Sequence, residues 1–256
     1  HHFLNTRADK EETHPILVGQ CGGCGTVQLL SFIPVNKMQP KYDWLTCTEP
    51  EAHLDELVKK LSQLPGITEE STICGVSFKE DTTLARLNRI GFHNTWRVDP
   101  ETELEIEGPL GKIETIIETI QERWTPERAE ALIEKHGQVD IVIARHILEH
   151  SQKPLQFIEA CKKMLKPGGY VVFEVPDCLH ALDHFDYTVI WEDHTVYFTP
   201  KTFYNCFGFV GLLLVYFEKI SYMLEDSIIG IARLADHSSL VNIDQSNLNN
   251  EVQRIN

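Results

Sequence analysis

The sequence predicts an α/β fold with a doubly wound, mostly parallel sheet, and its central part carries the evidence. Two short apolar runs, VDIVIA at 139–144 and YVVFEV at 170–175, have the composition of strands buried on both faces. The helical segment PLQFIEACKKMLKPGG lies between them, and this order implies parallel strands joined by a crossover helix. Two further apolar segments, 210–219 and 226–233, are expected to close the sheet as an antiparallel pair.

The alternation of strands and helices begins earlier in the chain. In EPEAHLDELVKKLSQL the leucines share one helical face, which predicts a helix that leads into the main domain. A strand near 72–77, a helix near 82–90 and a strand at 94–98 are expected to follow. The apolar IETIQ segment is expected to form one more strand.

The segment TPERAEALIEKHG carries clear helix boundaries. Thr125 is a good N-cap, Pro126 suits the first helical position and Gly137 can end the helix. A helix is therefore expected immediately before the first of the two central strands.

Composition changes divide the chain into three expected parts. Residues 1–50 contain VGQCGGCGTVQLL, which predicts a small ribbon or knuckle of the zinc-ribbon kind. Residues 51–235 hold the alternating elements and form the main domain. Residues 236–256 are rich in Asn and Ser and are expected to be a tail or the start of a truncated C-terminal region.

Composition also limits the classes of function. The formal net charge of −15 repels phosphate backbones, so nucleic acid is not an expected partner. No apolar run reaches the roughly 20 residues of a membrane helix, and seven cysteines without a framework spacing indicate a reduced compartment. We therefore expect a soluble cytoplasmic protein that does not interact with membranes. The sequence leaves the oligomeric state open, with a homodimer among the options.

Three segments carry a resemblance to a known family. DIVIARHILEHSQKPLQFIEACKKMLKPGGYVVFEVPD resembles the fourth strand, the helix and the fifth strand of class I S-adenosylmethionine-dependent methyltransferases, whose fold is Rossmann-like. VGQCGGCGTVQL and DYTVIWEDHTVYFTPKTF resemble the deoxysugar C-methyltransferases, which carry an N-terminal zinc-binding domain. The resemblance implies methyl transfer from S-adenosylmethionine to a carbon beside the keto group of a nucleotide-linked sugar.

Two other functions are kept as alternatives. One is an O- or N-methyltransferase of surface polysaccharide or glycan precursor synthesis, in which the same base deprotonates a hydroxyl or an amine. The other is a non-catalytic Rossmann-like module that no longer binds the methyl donor.

The WEDHTVYF segment supplies the expected catalytic groups. Carbon methylation beside a carbonyl needs a base, and His194 is the natural base because the ordinary pKa of histidine lies near neutral pH. Glu192 or Asp193 could orient His194 or take part in proton transfer. Trp191 stands where the family has a tyrosine, and an indole cannot exchange a proton as a phenol does. Taken alone, the acid–acid–histidine triplet favours a cap on a loop beneath the sheet, and the resemblance to the family reverses that preference.

The resemblance also implies residues that contact the substrate. An aromatic region of the family closes over the substrate, and its matching positions here are Tyr42 and Trp44. Tyr197 is another phenol close to the catalytic segment.

The expected donor site lies at the ends of three strands. Glycine usually lets the backbone of a nucleotide loop approach its ligand, but only one glycine, Gly75, stands here. Asp99 ends the second strand and is placed to accept hydrogen bonds from the ribose hydroxyls. The residues expected to bind S-adenosylmethionine are Gly75, Val76, Ser77, Asp81, Asp99, Ala144, Arg145 and His146.

Two short motifs raise the question of metal binding. Cys21 and Cys24 have the C-x-x-C spacing that places two thiolates on one ion, which makes them candidate ligands of a structural zinc ion, although an unmetallated turn is slightly favoured. The family supplies a second pair upstream, and Cys47, His14 or His53 could complete a site in this chain.

The HILEH motif supplies two histidines and a glutamate, His146, Glu149 and His150. This spacing could hold a metal, but the same turn recurs in methyltransferases that use no catalytic metal. A structural or cofactor-adjacent role is therefore favoured.

Overall fold

The computed structural model describes residues 13–38, 50–106, 117–223 and 226–234. Its strands are β1 (Val18–Gln20), β2 (Val27–Leu29), β3 (Ile73–Gly75), β4 (Thr95–Arg97), β5 (Val139–Arg145), β6 (Leu165–Pro176), β7 (Val196–Tyr197), β8 (Leu212–Ile220) and β9 (Ser227–Leu234). Its helices are α1 (Val35–Met38), α2 (Leu54–Ser62), α3 (Asp81–Arg89), α4 (Ile117–Arg123), α5 (Pro126–His136), α6 (Pro154–Lys163), α7 (Leu179–Asp183) and α8 (Pro200–Phe209). Short 3₁₀ turns cover Phe78–Glu80, Leu148–His150 and Tyr187–Val189.

In the part of the chain that the structure describes, the main sheet has six strands in the order β4-β3-β5-β6-β9-β8. Strands β4, β3, β5 and β6 are parallel, whereas β9 pairs antiparallel with both β6 and β8. This topology confirms the predicted mostly parallel α/β sheet and its antiparallel closing pair.

Both faces of the sheet are apolar, as expected for strands covered by helices on each side. In β5, Ile141 and Ile143 point into a core shared with α2 and α3. Val142 and Ala144 point into a second core, which α4, α5, α6 and α8 cover. This alternation follows from the two-residue period of a strand.

Cys74, Cys161 and Cys206 are buried in the second core. They pack there as small apolar side chains, in keeping with the low polarity of a protonated thiol.

The boundaries of α5 are those that its sequence predicts. Thr125 is the N-cap, and its side chain accepts a hydrogen bond from the backbone N–H of Arg128. Pro126 opens the helix, and Gly137 ends it with a φ of 77°, in the left-handed region that favours glycine.

The predicted strand at IETIQ is wrong, because these residues belong to α4. Ile117 and Ile120 are buried with a spacing of one helical turn, and Trp124 continues the same buried face just after the helix. A five-residue run with isoleucines near both ends fits a strand and a helix almost equally well. Packing of the next turn against α6, through Trp124 and Phe157, decides for the helix.

A separate three-stranded sheet joins the N-terminal segment to the later part of the chain. Its order is β1-β2-β7, and β2 pairs antiparallel with both neighbours. The predicted ribbon is therefore present as β1 and β2, and β7 fixes it to the segment that carries His194.

Candidate active site

The carboxyl ends of the four parallel strands meet at one edge of the sheet, where doubly wound folds bind their ligands. Buried charged side chains collect at this edge. They are Glu80, Arg145, His146, Glu149, Glu174 and Asp177.

The loop after β3 is organised by a buried carboxylate. The backbone N–H of Ser77 donates to Glu80 Oε2 at 2.5 Å, and the Ser77 hydroxyl accepts from the N–H of Lys79 at 3.2 Å. The other Glu80 oxygen, Oε1, accepts the N–H of Arg145 at 2.7 Å and so ties this loop to the end of β5. Burial raises the pKa of Glu80 to about 7, against the opposing effect of the hydrogen bonds from Arg145 and Ser77. The S-x-x-E pattern of Ser77 and Glu80 is a capping-box signal that could have revealed this role.

Gly75 is needed here for close packing rather than for an unusual backbone angle. A Cβ at this position would lie 2.8 Å from Glu80 Cβ and 3.2 Å from Leu84 Cδ1. The next residues, Val76 and Ser77, are fully buried, so their contacts with a donor would be made by the backbone. Binding of the donor by these three residues stays a prediction.

We expect Gly75→Ala to lower the free energy of unfolding by about 1–3 kcal/mol, because the added methyl group overpacks the Glu80 contact. Gly208→Ala is the matched control, since Gly208 lies in α8 and a Cβ there meets nothing within 4 Å. That control should be more stable than the parent by roughly 0.5–1 kcal/mol. Urea unfolding measures both, and equal effects of the two substitutions would contradict the proposed packing.

Asp99 follows β4 and is exposed at the same edge. Its Oδ1 accepts hydrogen bonds from the N–H and the hydroxyl of Thr102, at 2.7 and 2.9 Å, and these bonds lower its pKa. The N–H of Val98 donates to the Gly75 carbonyl at 3.0 Å, which places Asp99 beside the β3 loop. An exposed, ionised carboxylate at this position fits the ribose hydroxyls of S-adenosylmethionine.

Asp81 stands at the start of α3, beyond the β3 loop. Its carboxylate pairs with Arg97 Nε at 2.8 Å. Its predicted contact with the donor therefore competes with an ion pair.

Arg145, His146 and Glu174 form a buried charge network between β5 and β6. Arg145 Nε donates to Glu174 Oε2 at 2.6 Å, and Arg145 Nη1 donates to the Lys79 carbonyl at 2.9 Å. His146 Nε2 lies 3.3 Å from Glu174 Oε1, and His53 Nε2 lies 3.1 Å from the same carboxylate. Nothing in the local sequence around Glu174 indicates this role.

The charged groups of this network shift one another's pKa values. Burial alone would lower the pKa of His146, but Glu149 and Glu174 raise it to about 10. Burial would raise the pKa of Glu174, but hydrogen bonds with His146 and His53 and the Arg145 charge hold it well below its usual range. His146 also has a φ of 47°, which is uncommon for a residue other than glycine. The predicted donor contacts of Arg145 and His146 stay predictions, as does that of Ala144, which is fully buried.

His194 lies against the LEH turn, with its ring edge-to-face with His150 at a centroid separation of 4.7 Å. Thr195 fixes this placement, because its N–H donates to the Glu149 carbonyl at 2.8 Å and its hydroxyl donates to the Ser151 carbonyl at 2.6 Å. The Thr195 carbonyl in turn accepts the N–H of Leu29 in β2 at 2.9 Å. The tertiary structure thus brings two distant motifs, LEH and WEDH, into one cluster.

Acidic side chains surround the two histidines. Glu118 Oε1 lies 3.7 Å from His150 Nδ1, and Asp193 is close enough to raise the pKa of Glu118 further. Burial is the larger cause, and together they raise the pKa of Glu118 to about 7. Burial and the charge of His194 lower the pKa of His150 to about 4, so His150 is neutral near pH 7. Sequence reasoning missed Glu118, and no local pattern links it to His150.

The other predicted catalytic and substrate residues have different surroundings. Trp191 is 46% exposed, and Glu192 is half-buried. Tyr197 is fully buried, and its hydroxyl donates to the Trp191 carbonyl at 3.1 Å and accepts the Trp191 N–H at 3.2 Å. Tyr197 supports the loop in this arrangement, and its contact with substrate stays a prediction. Tyr42 and Trp44 lie outside the described residues.

Cys21 and Cys24 lie in the turn between β1 and β2, as predicted. Cys24 Sγ donates to the Thr26 hydroxyl at 3.2 Å. Within the described ranges, neither cysteine belongs to a group of three or more ligand side chains, so they supply half of a tetrahedral zinc site. Cys47 lies outside the described residues, and zinc at this turn stays a prediction.

A family model described as a methyltransferase domain matches residues 53–216, which is well over half of the chain. The chain belongs to this methyltransferase family. Family and sheet topology together confirm the predicted class I S-adenosylmethionine-dependent methyltransferase domain. They do not distinguish the deoxysugar C-methyltransferases within that class.

Curated relatives match shorter stretches of this methyltransferase. The ubiquinone biosynthesis O-methyltransferase of Shewanella pealeana is 50% identical over 46 residues, which are 18% of this chain and 20% of that protein. The protein of the same name from Burkholderia vietnamiensis is 34% identical over 74 residues, which are 28% of this chain and 31% of that protein. The match thus spans less than a third of either relative.

Solved structures resemble the methyltransferase at low sequence identity. The 1,6-didemethyltoxoflavin-N1-methyltransferase of Burkholderia thailandensis has a TM-score of 0.47 and 12% identity, covering 73% of this chain and 80% of that one. An S-adenosylmethionine-dependent methyltransferase from Clostridium acetobutylicum has a TM-score of 0.44 and 10% identity, covering 73% of this chain and 93% of that one. Among the residues described, no helix has both the length and the apolar character of a membrane span.

Proposed function

We propose that this methyltransferase acts on a carbon beside the keto group of a nucleotide-linked deoxysugar, with His194 as the general base. The observation that carries the proposal is the His150–His194 pair, which lies at the same edge of the sheet as Asp99. A base and a donor-binding acid at one edge are what methyl transfer to an acidic position requires. The net charge of −15 supports the exclusion of nucleic acid as acceptor. A cytoplasmic location is part of the same proposal.

S-adenosylmethionine supplies an electrophilic methyl group on its sulfonium when it is bound. In this proposal Asp99 accepts hydrogen bonds from the ribose hydroxyls, and the backbone after Gly75 lines the other side of the donor. The exposed position of Asp99 beside the β3 loop supports this assignment.

His194 removes the acidic proton of the acceptor and becomes positively charged. The nearby carboxylate of Glu149 stabilises that charge, and the edge-to-face contact leaves the neutral His150 ring beside it. The hydrogen bond of the Thr195 hydroxyl to the Ser151 carbonyl holds the neighbouring His194 in position toward the acceptor. Trp191 cannot exchange a proton, so the chemistry rests on the histidine.

Methylation of a hydroxyl group is the second candidate. The names of the curated relatives, ubiquinone biosynthesis O-methyltransferases, support it, and the same histidine would remove a hydroxyl proton. Mixing the protein with a nucleotide-linked keto-deoxysugar in deuterated water separates the candidates. Exchange of the α-proton, followed by NMR, supports carbon, whereas methylation of a hydroxyl without such exchange supports oxygen.

Donor binding provides the first test. We expect S-adenosylmethionine and S-adenosylhomocysteine to bind with micromolar affinity, about −8 kcal/mol, and Asp99→Ala to weaken binding at least about tenfold. Isothermal titration calorimetry measures both. Asp186→Ala is the matched control, because Asp186 Oδ1 likewise accepts the N–H and the hydroxyl of a nearby threonine, Thr188, and Asp186 lies far from β4 in the chain.

Two outcomes would contradict this account of the donor site. Equal affinity of the Asp99→Ala and Asp186→Ala variants would remove Asp99 from the site. Absence of binding by the folded parent protein would favour the non-catalytic alternative.

A further inference from the structure

Three potential metal ligands converge at the LEH turn, although they come from distant parts of the chain. Glu149, His150 and His194 each offer one ligand atom, and these atoms lie within 4.8 Å of one another. The first two are adjacent in sequence, and the third is brought in by the Thr195 contacts. This juxtaposition is independent of any methyl donor or acceptor.

One of these three residues carries a buried carboxylate oxygen that lacks a hydrogen-bond partner. Glu149 is 2% exposed, and its Oε2 has no hydrogen-bond partner among the described residues. Its other oxygen, Oε1, lies 3.6 Å from His146 Nδ1. Buried polar atoms without a partner are rare in folded proteins and call for a water molecule or an ion. His150 Nδ1 is also buried without a hydrogen-bond partner among those residues.

We propose that Glu149, His150 and His194 bind one divalent transition-metal ion, with zinc as the best match. Two imidazoles and one carboxylate form a three-ligand set of the kind that leaves zinc a further position for water or another ligand. Nitrogen ligands disfavour magnesium and calcium, which take oxygen ligands.

The surroundings suit an ion at this position. Bonds of about 2.1 Å to a tetrahedral zinc hold its ligand atoms roughly 3.4 Å apart, so side-chain shifts of about 1 Å close the set. The hydrogen bonds of Thr195 to the Glu149 and Ser151 carbonyls hold both segments in place for that closure. His146 lies beside Glu149 Oε1. It could therefore act as an outer-shell partner that orients the ligating Glu149 carboxylate.

Two further carboxylates, Glu118 and Asp193, border the site and add negative charge. With His150 they form a second set of ligand atoms within 4.8 Å of one another. The first set is favoured because it contains the more deeply buried carboxylate, Glu149.

The metal site goes beyond the proposed function and has a consequence for it. An ion bound to His194 occupies the lone pair that a base needs, so the metal-bound form cannot use His194 as base. Excess zinc is therefore expected to inhibit His194-dependent methyl transfer, and a chelator is expected to restore it.

The test uses the full chain without added tags, treated first with EDTA, and measures binding of Co²⁺ by its visible absorption bands and of Zn²⁺ by calorimetry. No methyl donor or acceptor is present, so the outcome is independent of the proposed function. Because the C-x-x-C turn can bind the same ions, the Cys21→Ser/Cys24→Ser variant is measured beside the parent protein. We expect this variant to retain one bound ion, with absorption bands free of thiolate charge transfer.

Substitution of the proposed ligands shows whether the bound ion occupies the site of Glu149, His150 and His194. His194→Ala and Glu149→Gln are each expected to weaken Co²⁺ binding at least about tenfold in the cysteine-free background, and Glu118→Gln less than that. His194→Ala alters a half-buried loop residue and is decisive if Glu149→Gln does not fold. Unchanged binding by His194→Ala, or loss of all binding in the cysteine-free variant, would overturn the proposal.

Discussion

Replacing His194 with alanine is expected to lower the rate of methyl transfer by about 10²- to 10⁴-fold, the usual contribution of a general base. The affinity for S-adenosylmethionine should stay the same, because His194 lies with the LEH turn and not with the β3 loop or Asp99. Its role depends on placement, and the Thr195 hydrogen bonds set that placement. The assay contains EDTA, so that a metal ion on His194 does not mask the effect.

A control and a pH profile distinguish a base from a merely structural residue. His93→Ala removes an exposed histidine before β4 and should leave the rate unchanged. The pH dependence of the rate that a general base confers on the parent protein should be absent from His194→Ala. α-Proton exchange of the keto sugar should be lost together with methyl transfer. A variant that keeps the parent rate and pH profile would exclude His194 as the base.

The second large effect concerns folding: Glu174→Ala should lower the free energy of unfolding by about 3–5 kcal/mol. Glu174 is fully buried, and its carboxylate lies within 3.3 Å of Arg145, His146 and His53. Removing it leaves the guanidinium of Arg145, which is 2% exposed, without its carboxylate partner in a site of low dielectric.

The matched control for this substitution lies on the surface. Glu159→Ala breaks the pair with Lys162 in α6, in which the glutamate side chain is 43% exposed. Exposed pairs contribute about 0–1 kcal/mol, so urea unfolding should show little change. Similar losses in the two variants would contradict the role assigned to Glu174.

The same network predicts a dependence of stability on pH. The folded state raises the pKa of His146 to about 10, above its ordinary value of 6.5. The stability contributed by the protonated ring is therefore fully present below pH 6.5 and is lost as pH rises through 10. Because Glu174 is one cause of the raised pKa, the fall in stability between pH 7 and 10 should be smaller in Glu174→Ala than in the parent.

Local sequence was sufficient for the main architecture. The apolar runs at β5 and β6 predict strands covered on both faces, since strands buried on both sides consist mostly of apolar residues. The limits of α5 follow from Thr125 and Gly137, whose hydrogen bonds and backbone angle are local properties. Asp99 was predicted from its position after a strand, and the structure places it exposed at the edge where ligands bind, although its contact with the donor stays a prediction.

Other features could not be assigned from neighbouring residues. The isoleucines of α4 fit two periodicities, and only packing through Trp124 and Phe157 selects the helix. The role of Gly75 as a contact for Glu80 depends on how the loop folds back on its own strand. The role of the LEH turn depends on the contact of His150 with His194, which comes from a distant segment.

The sequence by itself determined the α/β class and the strand–helix–strand order of β5, α6 and β6. Only the tertiary structure decided that His194 meets Glu149 and His150, and that Glu174 gathers Arg145, His146 and His53. The physical reason is the distance along the chain between the residues that interact. Periodicity and capping act over a few neighbouring residues, whereas the bond of Thr195 to Ser151 joins positions 44 residues apart and forms only when the sheets have assembled.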